Sequence, residues 1–493
     1  MTSLLSGVDL TLGKIDKWRL ASTLLVLTFL TSILPAHSSS QSAKIIPSMG
    51  SVSYAPRVTI SVNTERRTAT NTLSLGFQLD GRDIRQWRDR IALRTLAEEA
   101  NFALVRFFEH RLGKPCQYWN ETTKSGTWDW SNIDSLVAKI FEIGAEPLIV
   151  LGFYSWDSNQ LTSAPAGMSN DPVTGLPYPD QWGSYCAAWV EHFKQTGIPV
   201  RYYEIINEPF HYFGWYGDQP QLDYYMQLFN SAAVAMRAVN PSVKIGCDES
   251  TKKVVLDYFI SHGENLDFIS FHRYGASTLD ATDEEVITAA ETKYLYESSN
   301  KYSPAQAADI YRSAKGISLP IIMSEGNLNS AYSGGTDPRT RTTLGAVYTA
   351  LSTRMFILLN FKYCVYFTFG SSAMEGIGMV NVDDNQPWYP YYAQHMIGSN
   401  LAVGDVIVNT TSSSDDIRSL AWIHNARLNI LLICKTGETR TVSLTGVVGQ
   451  AEYFKIDNNI PWQSPRIQTG TFDLSVPLTM QGYTVVLLQT NAA

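Results

Sequence analysis

Cysteine is scarce in this chain. The five that occur (Cys116, Cys186, Cys247, Cys364 and Cys434) make no C-x-x-C pair and no metal-ligand spacing, which leaves no redox or zinc motif to read. Charge is also thin: 17% of residues are charged, the net charge is −8, and Lys and Arg are scattered. A nucleic-acid or anionic-lipid surface would need those cations clustered. Apart from Leu20–Leu34 there is no extended apolar segment, and that one is short for a membrane span. No Gly-rich phosphate loop follows the first apolar run of the globular part, so an open dinucleotide-binding sheet lacks its signature. Internal repeats and long low-complexity tracts are absent as well.

What is present suffices for a large core. The chain has 493 residues, 44% of them hydrophobic, enough for one large domain and a smaller one. Lys14, Lys17 and Arg19 precede the apolar stretch LASTLLVLTFLTSIL, and small residues follow it. That order predicts a secretory signal over 1–38, and hence a secreted or cell-surface protein, with an uncleaved membrane anchor as the alternative. In an exported chain Cys116 and Cys186, in loop-rich surroundings, are the pair nominated for a disulfide. Residues 39–72 read as a linker in which VTISVN (58–63) can add a strand to a later sheet.

From 73 to 398 eight short apolar runs alternate with helical patterns: LSLGFQLD, ALVRFFEH, EPLIVLGF, RYYEIINE, VKIGCDES, LDFISFHRY, PIIMSEG and YCVYFTFG. In SNIDSLVAKIFEIG, Ile133, Leu136, Val137, Ile140 and Phe141 share one face, and Ser131 with Asp134 has the pattern of a capping box. Leu344, Val347, Tyr348, Leu351 and Met355 make a similar stripe. Near-continuous apolar strands alternating with helices predict an α/β fold, a (β/α)8 TIM barrel. Residues 399–493 contain only short strand-like runs between polar turns, the texture of an antiparallel β-sandwich.

In such a barrel the reactive groups project from the C-terminal strand ends. YYEIINEPF (202–210) is apolar until it delivers Asn207 and Glu208, and IIMSEG delivers Glu325 from the seventh run. Two carboxylates facing each other across one mouth are what retaining glycoside hydrolysis needs: one donates a proton to the leaving oxygen while the other attacks the anomeric carbon. NEP closing strand four and the Glu of strand seven resemble clan A glycoside hydrolases, similar to the family 5 and family 39 type glycosidases. The resemblance implies Glu208 as acid/base and Glu325 as nucleophile. It also implies Arg106 as electrostatic support for the nucleophile, Asn207 on the sugar 2-hydroxyl, and His272 and Tyr274 lining the site. Ile206 stands where family 39 enzymes usually carry Trp.

Sugar faces stack on aromatic rings, and the third and fourth loops offer Tyr154, Trp156, Phe210, Tyr212, Trp215 and Tyr216. Several aromatic loops suggest a cleft gripping more than one sugar. The expected activity is therefore an endo-β-1,4-glucanase, cellulase-like, with β-mannanase, β-xylosidase or β-glucosidase, or a non-catalytic glycan-binding surface protein, as alternatives. The expected partner is a poly- or oligosaccharide, with no nucleic acid and with neither a metal nor an organic cofactor.

Overall fold

Eight parallel strands close into a barrel in the computed structural model, which describes residues 55–492 apart from 82, 156–159, 215, 332–335 and 462–464. The expected signal at 1–38, the linker up to residue 54, Trp156 and Trp215 lie outside the described residues. The barrel strands are Ser74–Leu79, Leu104–Phe108, Glu146–Ser155, Tyr202–Asn207, Lys244–Cys247, Phe268–Ala276, Ile321–Asn329 and Tyr363–Tyr366, in that order. Each pairs in parallel with the next. Tyr363 to Tyr366 then register on Ser74 to Phe77, which closes the ring. All eight apolar runs are barrel strands.

Strand alternation sorts the interior into layers. Leu104, Leu148, Tyr202, Phe268, Ile322, Tyr363 and Val365 form an apolar floor. Two residues further along their strands, Arg106, Glu204, Ser270 and Ser324 form a buried polar layer. Above it lies the mouth. The outward positions feed one large core shared with the helices, which includes Ile133, Leu136, Val137 and Ile140 of the helix Ser131–Glu142. That helix has no capping box. Ser131 is its first residue, and Asp129 accepts from the Ser131 main chain (3.1 Å) and hydroxyl (2.6 Å).

The helix Thr343–Leu358 departs from its expected single stripe. It is buried nearly all round because the C-terminal domain covers the side turned away from the barrel. Arg354 Nε there donates to the Ser419 carbonyl at 2.9 Å. In the C-terminal domain nine strands form a single folded sheet. The early strand Arg57–Thr70 lies inside it, antiparallel to Val406–Ser412 and parallel to Arg440–Thr445, so one pair departs from the antiparallel pattern. Alternation again divides the labour. Ile430, Leu432, Val486 and Leu488 fill the domain's own core, while Leu431, Ile433, Val485 and Leu487 join the barrel's. Glu291, held by Arg418 (2.5 Å) and Lys435 (2.6 Å), adds an ion-pair clasp between them.

No disulfide joins Cys116 and Cys186, and all five cysteines are free and buried. Cys116 sits on a hairpin strand with its Sγ 3.5 Å from the Tyr118 carbonyl, and Cys186 is inside the helix Pro179–Thr196. No described helix is long and apolar enough to cross a membrane.

Candidate active site

Arg106 is the hub of the site. It is fully buried, and its guanidinium reaches four residues on three other strands: Nε to Glu204 (2.8 Å), one Nη to Gln78 (2.5 Å) and Glu325 (3.0 Å), and the other Nη to Asn207 (2.8 Å). Burial alone would weaken the guanidinium's hold on its proton, but Glu204, Glu325 and Asp248 outweigh it and raise the pKa. Arg106 is therefore a permanent cation under the mouth. Glu204, which the sequence reading missed, is its structural counterion; Ser270, itself bonded to Ser324, donates to it.

Glu208 follows strand four, which ends in an unusual backbone. Ile206 has φ +62° and Glu208 φ +43°, the left-handed region where side chains, β-branched ones above all, are disfavoured. The twist turns Glu208 into the mouth. Gly152 makes room for it: a Cβ there would meet the Ile206 side chain at 2.7 Å. The Glu208 carboxylate accepts from His272 Nδ1 (2.9 Å) and His211 Nε2 (3.0 Å). Burial pushes this carboxyl up, yet the two histidines win and hold it below the ordinary range.

Glu325 lies within strand seven, which continues to Asn329. It accepts from Tyr274 Oη (2.6 Å) and from Arg106. Its carboxyl is nevertheless held above the ordinary range, first by burial and then by Glu208, against the pull of His272 and Arg106. His272 belongs to Glu208 more than to Glu325, which is 3.8 Å away. Its ring is pushed up to about 10: burial opposes the charge, but Asp248, Glu325 and Glu208 overcome that.

Donor atoms of Glu208, His272 and Glu325 all fall within 4.8 Å of one another. Three such groups can hold a metal ion, but here His272 Nδ1 and the carboxylates are engaged with each other, with Arg106 and with Tyr274, so hydrogen bonding accounts for the cluster. The two carboxylates are thus at the spacing of a nucleophile and an acid, about 5 Å, and too close to admit the water of an inverting pair.

The cleft above them has a volume of about 790 Å³. Asn207, Glu208, His272, Tyr274 and Glu325 all line it, with Tyr154 and Phe210. The other aromatic residues named from the sequence behave differently. Tyr212 packs on Tyr154 with ring centroids 5.4 Å apart, and Tyr216 is 74% exposed and outside the lining. The structure also adds wall residues the sequence did not disclose, among them His211, Glu249, Arg273, Lys293 and Lys301. Their signal was weak, since each lies in a loop or beside a motif that drew attention to its neighbour.

The family model for glycosyl hydrolases family 39 matches residues 64–354. The chain belongs to that family. A curated relative of this family 39 chain, a beta-xylosidase of Caldicellulosiruptor saccharolyticus, is 23% identical over 223 residues, 43% of this chain and 44% of the relative. The match therefore spans less than half of that protein's length. Among solved structures, a monomeric beta-xylosidase from Caulobacter crescentus CB15 superposes with TM-score 0.62 at 16% identity, covering 89% of this chain and 99% of the other. The GH39 enzyme from Xanthomonas axonopodis pv. citri gives 0.61 at 15%, covering 91% and 100%. An alpha-L-arabinofuranosidase from Thermotoga maritima gives 0.62 at 14%, covering 88% and 100%. At these identities the likeness establishes a shared barrel and sheet domain.

Proposed function

We propose that this family 39 chain is a retaining β-glycosidase that removes a terminal sugar, with β-linked xylose as the leading substrate. One observation carries the reading: two carboxylates whose oxygens approach within 4.8 Å at the barrel mouth, one of them fixed by a buried guanidinium and a tyrosine hydroxyl. Glu325 is the nucleophile, because both of its donors favour the ionised form and Arg106 cannot surrender its charge. Glu208 is the acid/base. Its side chain is 24% exposed against 10% for Glu325, so it is the carboxylate that a bound sugar strips of water.

In the resting cleft the two carboxyls stand in the reverse order to that needed for the first step, with Glu208 low and Glu325 raised. Seating the sugar pushes Glu208 up toward its protonated form, while Glu325 keeps Arg106. Once Glu325 is spent in the glycosyl bond its charge is gone, and Glu208, now ionised between two histidines, activates the water. Asn207, whose Oδ1 is held by Arg106, presents its amide to the sugar 2-hydroxyl.

Xylose and a terminal position are favoured over internal cleavage of glucan for two reasons. The relatives that carry an activity in their names include beta-xylosidases. And of the described aromatic residues in the third and fourth loops, Phe153, Tyr154 and Phe210 reach the cleft while Tyr212 and Tyr216 lie outside its lining. An endo-β-1,4-glucanase is the competing outcome. Export directed by the N-terminal segment is part of the proposal, checked by sequencing the mature N-terminus. The test of activity is a panel of aryl β-glycosides and β-linked polysaccharides with product sizing. Release of xylose from an aryl β-xyloside and from xylo-oligosaccharide ends supports the reading. An oligosaccharide ladder from glucan without monosaccharide overturns it. Glu208→Ala should lose activity and regain it with azide on activated substrates, giving the β-glycosyl azide.

A further inference from the structure

Asp248 directly follows strand five, in a run where the sequence offers no motif, and its side chain is completely buried. One carboxylate oxygen accepts the main-chain N–H of Glu208 at 2.7 Å. The other lies 3.0 Å from His272 Nε2. His272 thus has a carboxylate oxygen against each ring nitrogen, Asp248 at Nε2 and Glu208 at Nδ1 (2.9 Å). The Nε2–Oδ1 approach is an ion-pair distance and not an aligned hydrogen bond, so Asp248 acts on this nitrogen through its charge, and anions on both sides of the ring favour its doubly protonated form.

Resting on the reading of Glu208 as acid/base, we propose that Asp248 is a positioning residue for it: one oxygen anchors the left-handed backbone that aims Glu208 at the cleft, and the other keeps His272 doubly protonated against the Glu208 carboxylate. The backbone role follows from strain. With φ at +62° and +43° for Ile206 and Glu208, the strand end needs an external hold, and the Asp248 hydrogen bond is on the strained residue itself. The electrostatic role follows from the surroundings. The charged groups facing the Asp248–His272 pair are Arg106 (3.9 Å from Asp248), Glu204 in strand four, Glu208, Glu249 and Glu325, while Tyr225 and Cys247 are neutral neighbours. Arg106 is shared among three carboxylates, so Asp248, Glu325 and Glu208 together decide the charge on His272, with Asp248 the largest. Burial drives Asp248 up to about 7, with His272 and Arg106 opposing.

Asp248→Asn separates the two roles. The amide oxygen still accepts the Glu208 N–H, while the neutral amide removes the negative charge beside His272 Nε2 and leaves a neutral ring donating from Nδ1 to Glu208. Losing the charge on His272, which touches Glu208, outweighs losing the charge of Asp248, which reaches Glu208 through its main chain. Both Glu208 and Glu325 then titrate higher, and the kcat/KM bell on an aryl β-glycoside should move upward by about one pH unit on both limbs. Asp248→Ala removes both holds. It should lose on the order of 100-fold in kcat/KM on an unactivated alkyl β-glycoside, which needs the acid, and less than about 10-fold on a dinitrophenyl glycoside, which does not. An unmoved profile in the Asn variant, or equal losses on both leaving groups in the Ala variant, overturns the proposal. Glu208→Ala measured alongside tells the two claims apart. If its loss does not depend on the leaving group, the acid/base reading itself fails; if its loss does and that of Asp248→Ala does not, only the Asp248 proposal fails.

Discussion

The floor and the mouth of this barrel are built by the same strands, yet one is apolar and the other is dense in charge. Strand two gives Leu104 to the floor and, two residues later, Arg106 to the polar layer; strand four gives Tyr202, then Glu204, then the turn that delivers Glu208. Strand six gives Phe268, Ser270 and His272 in the same rhythm. The difference teaches where a barrel tolerates charge. Buried ions occur where each finds a counterion from another strand, and the single guanidinium of Arg106 serves Gln78, Glu204, Asn207 and Glu325 at once. The floor has no such partners and packs by shape.

Substitutions can sharpen or break that division. Glu325→Gln at the mouth should lower kcat/KM on aryl β-glycosides by on the order of 10⁴-fold with an unchanged melting temperature, read by steady-state kinetics and circular dichroism. Activity near wild type would remove Glu325 from the chemistry. Arg106→Leu, in the layer between, should fail on both counts: it strands Glu204 in the interior at a cost of about 3–5 kcal/mol and frees Glu325, so denaturant midpoint and turnover fall together. Phe268→Ala, in the floor at 0% exposure, should cost about 3–5 kcal/mol in chemical denaturation while kcat per folded molecule stays within about twofold. A large change in kcat there would show that floor and mouth are not separable. Tyr216→Ala marks the lower bound: at 74% exposure and outside the cleft lining it should shift stability by less than about 0.5 kcal/mol and leave KM for small glycosides unchanged.

Much of this was legible from the chain alone. Eight apolar runs were enough to expect the barrel because strands buried on both faces must be apolar nearly throughout. Glu208 and Glu325 were legible because each closes an apolar run, and Arg106, Asn207, His272 and Tyr274 because the resemblance to clan A enzymes singled them out; the structure brings five of the six to one mouth and sets Arg106 in the buried layer beneath it. The Thr343–Leu358 helix misled, since its outer face is covered by a domain some 60 residues further on in the chain, with Ser419 accepting from Arg354. The aromatic loop after strand four misled in another way: Tyr212, expected to stack on sugar, packs against the core and Tyr154 outside the cleft lining, so a ring in a loop can belong to the core.

The sequence by itself determined which strands exist, which way their side chains alternate, and which two glutamates close an apolar run, Glu208 just past strand four and Glu325 inside strand seven. These are local properties, set by period and by the residues that stop a strand. The tertiary structure alone decided that Glu204 is a counterion while Glu208 faces the cleft, though they lie four residues apart in one stretch of chain. It alone decided that His272 serves Glu208 more closely than Glu325, and that Asp248 stands behind both. The reason is physical: a carboxylate's role is set by the charges within a few ångströms, and in a closed barrel those charges come from strands that the sequence keeps far apart.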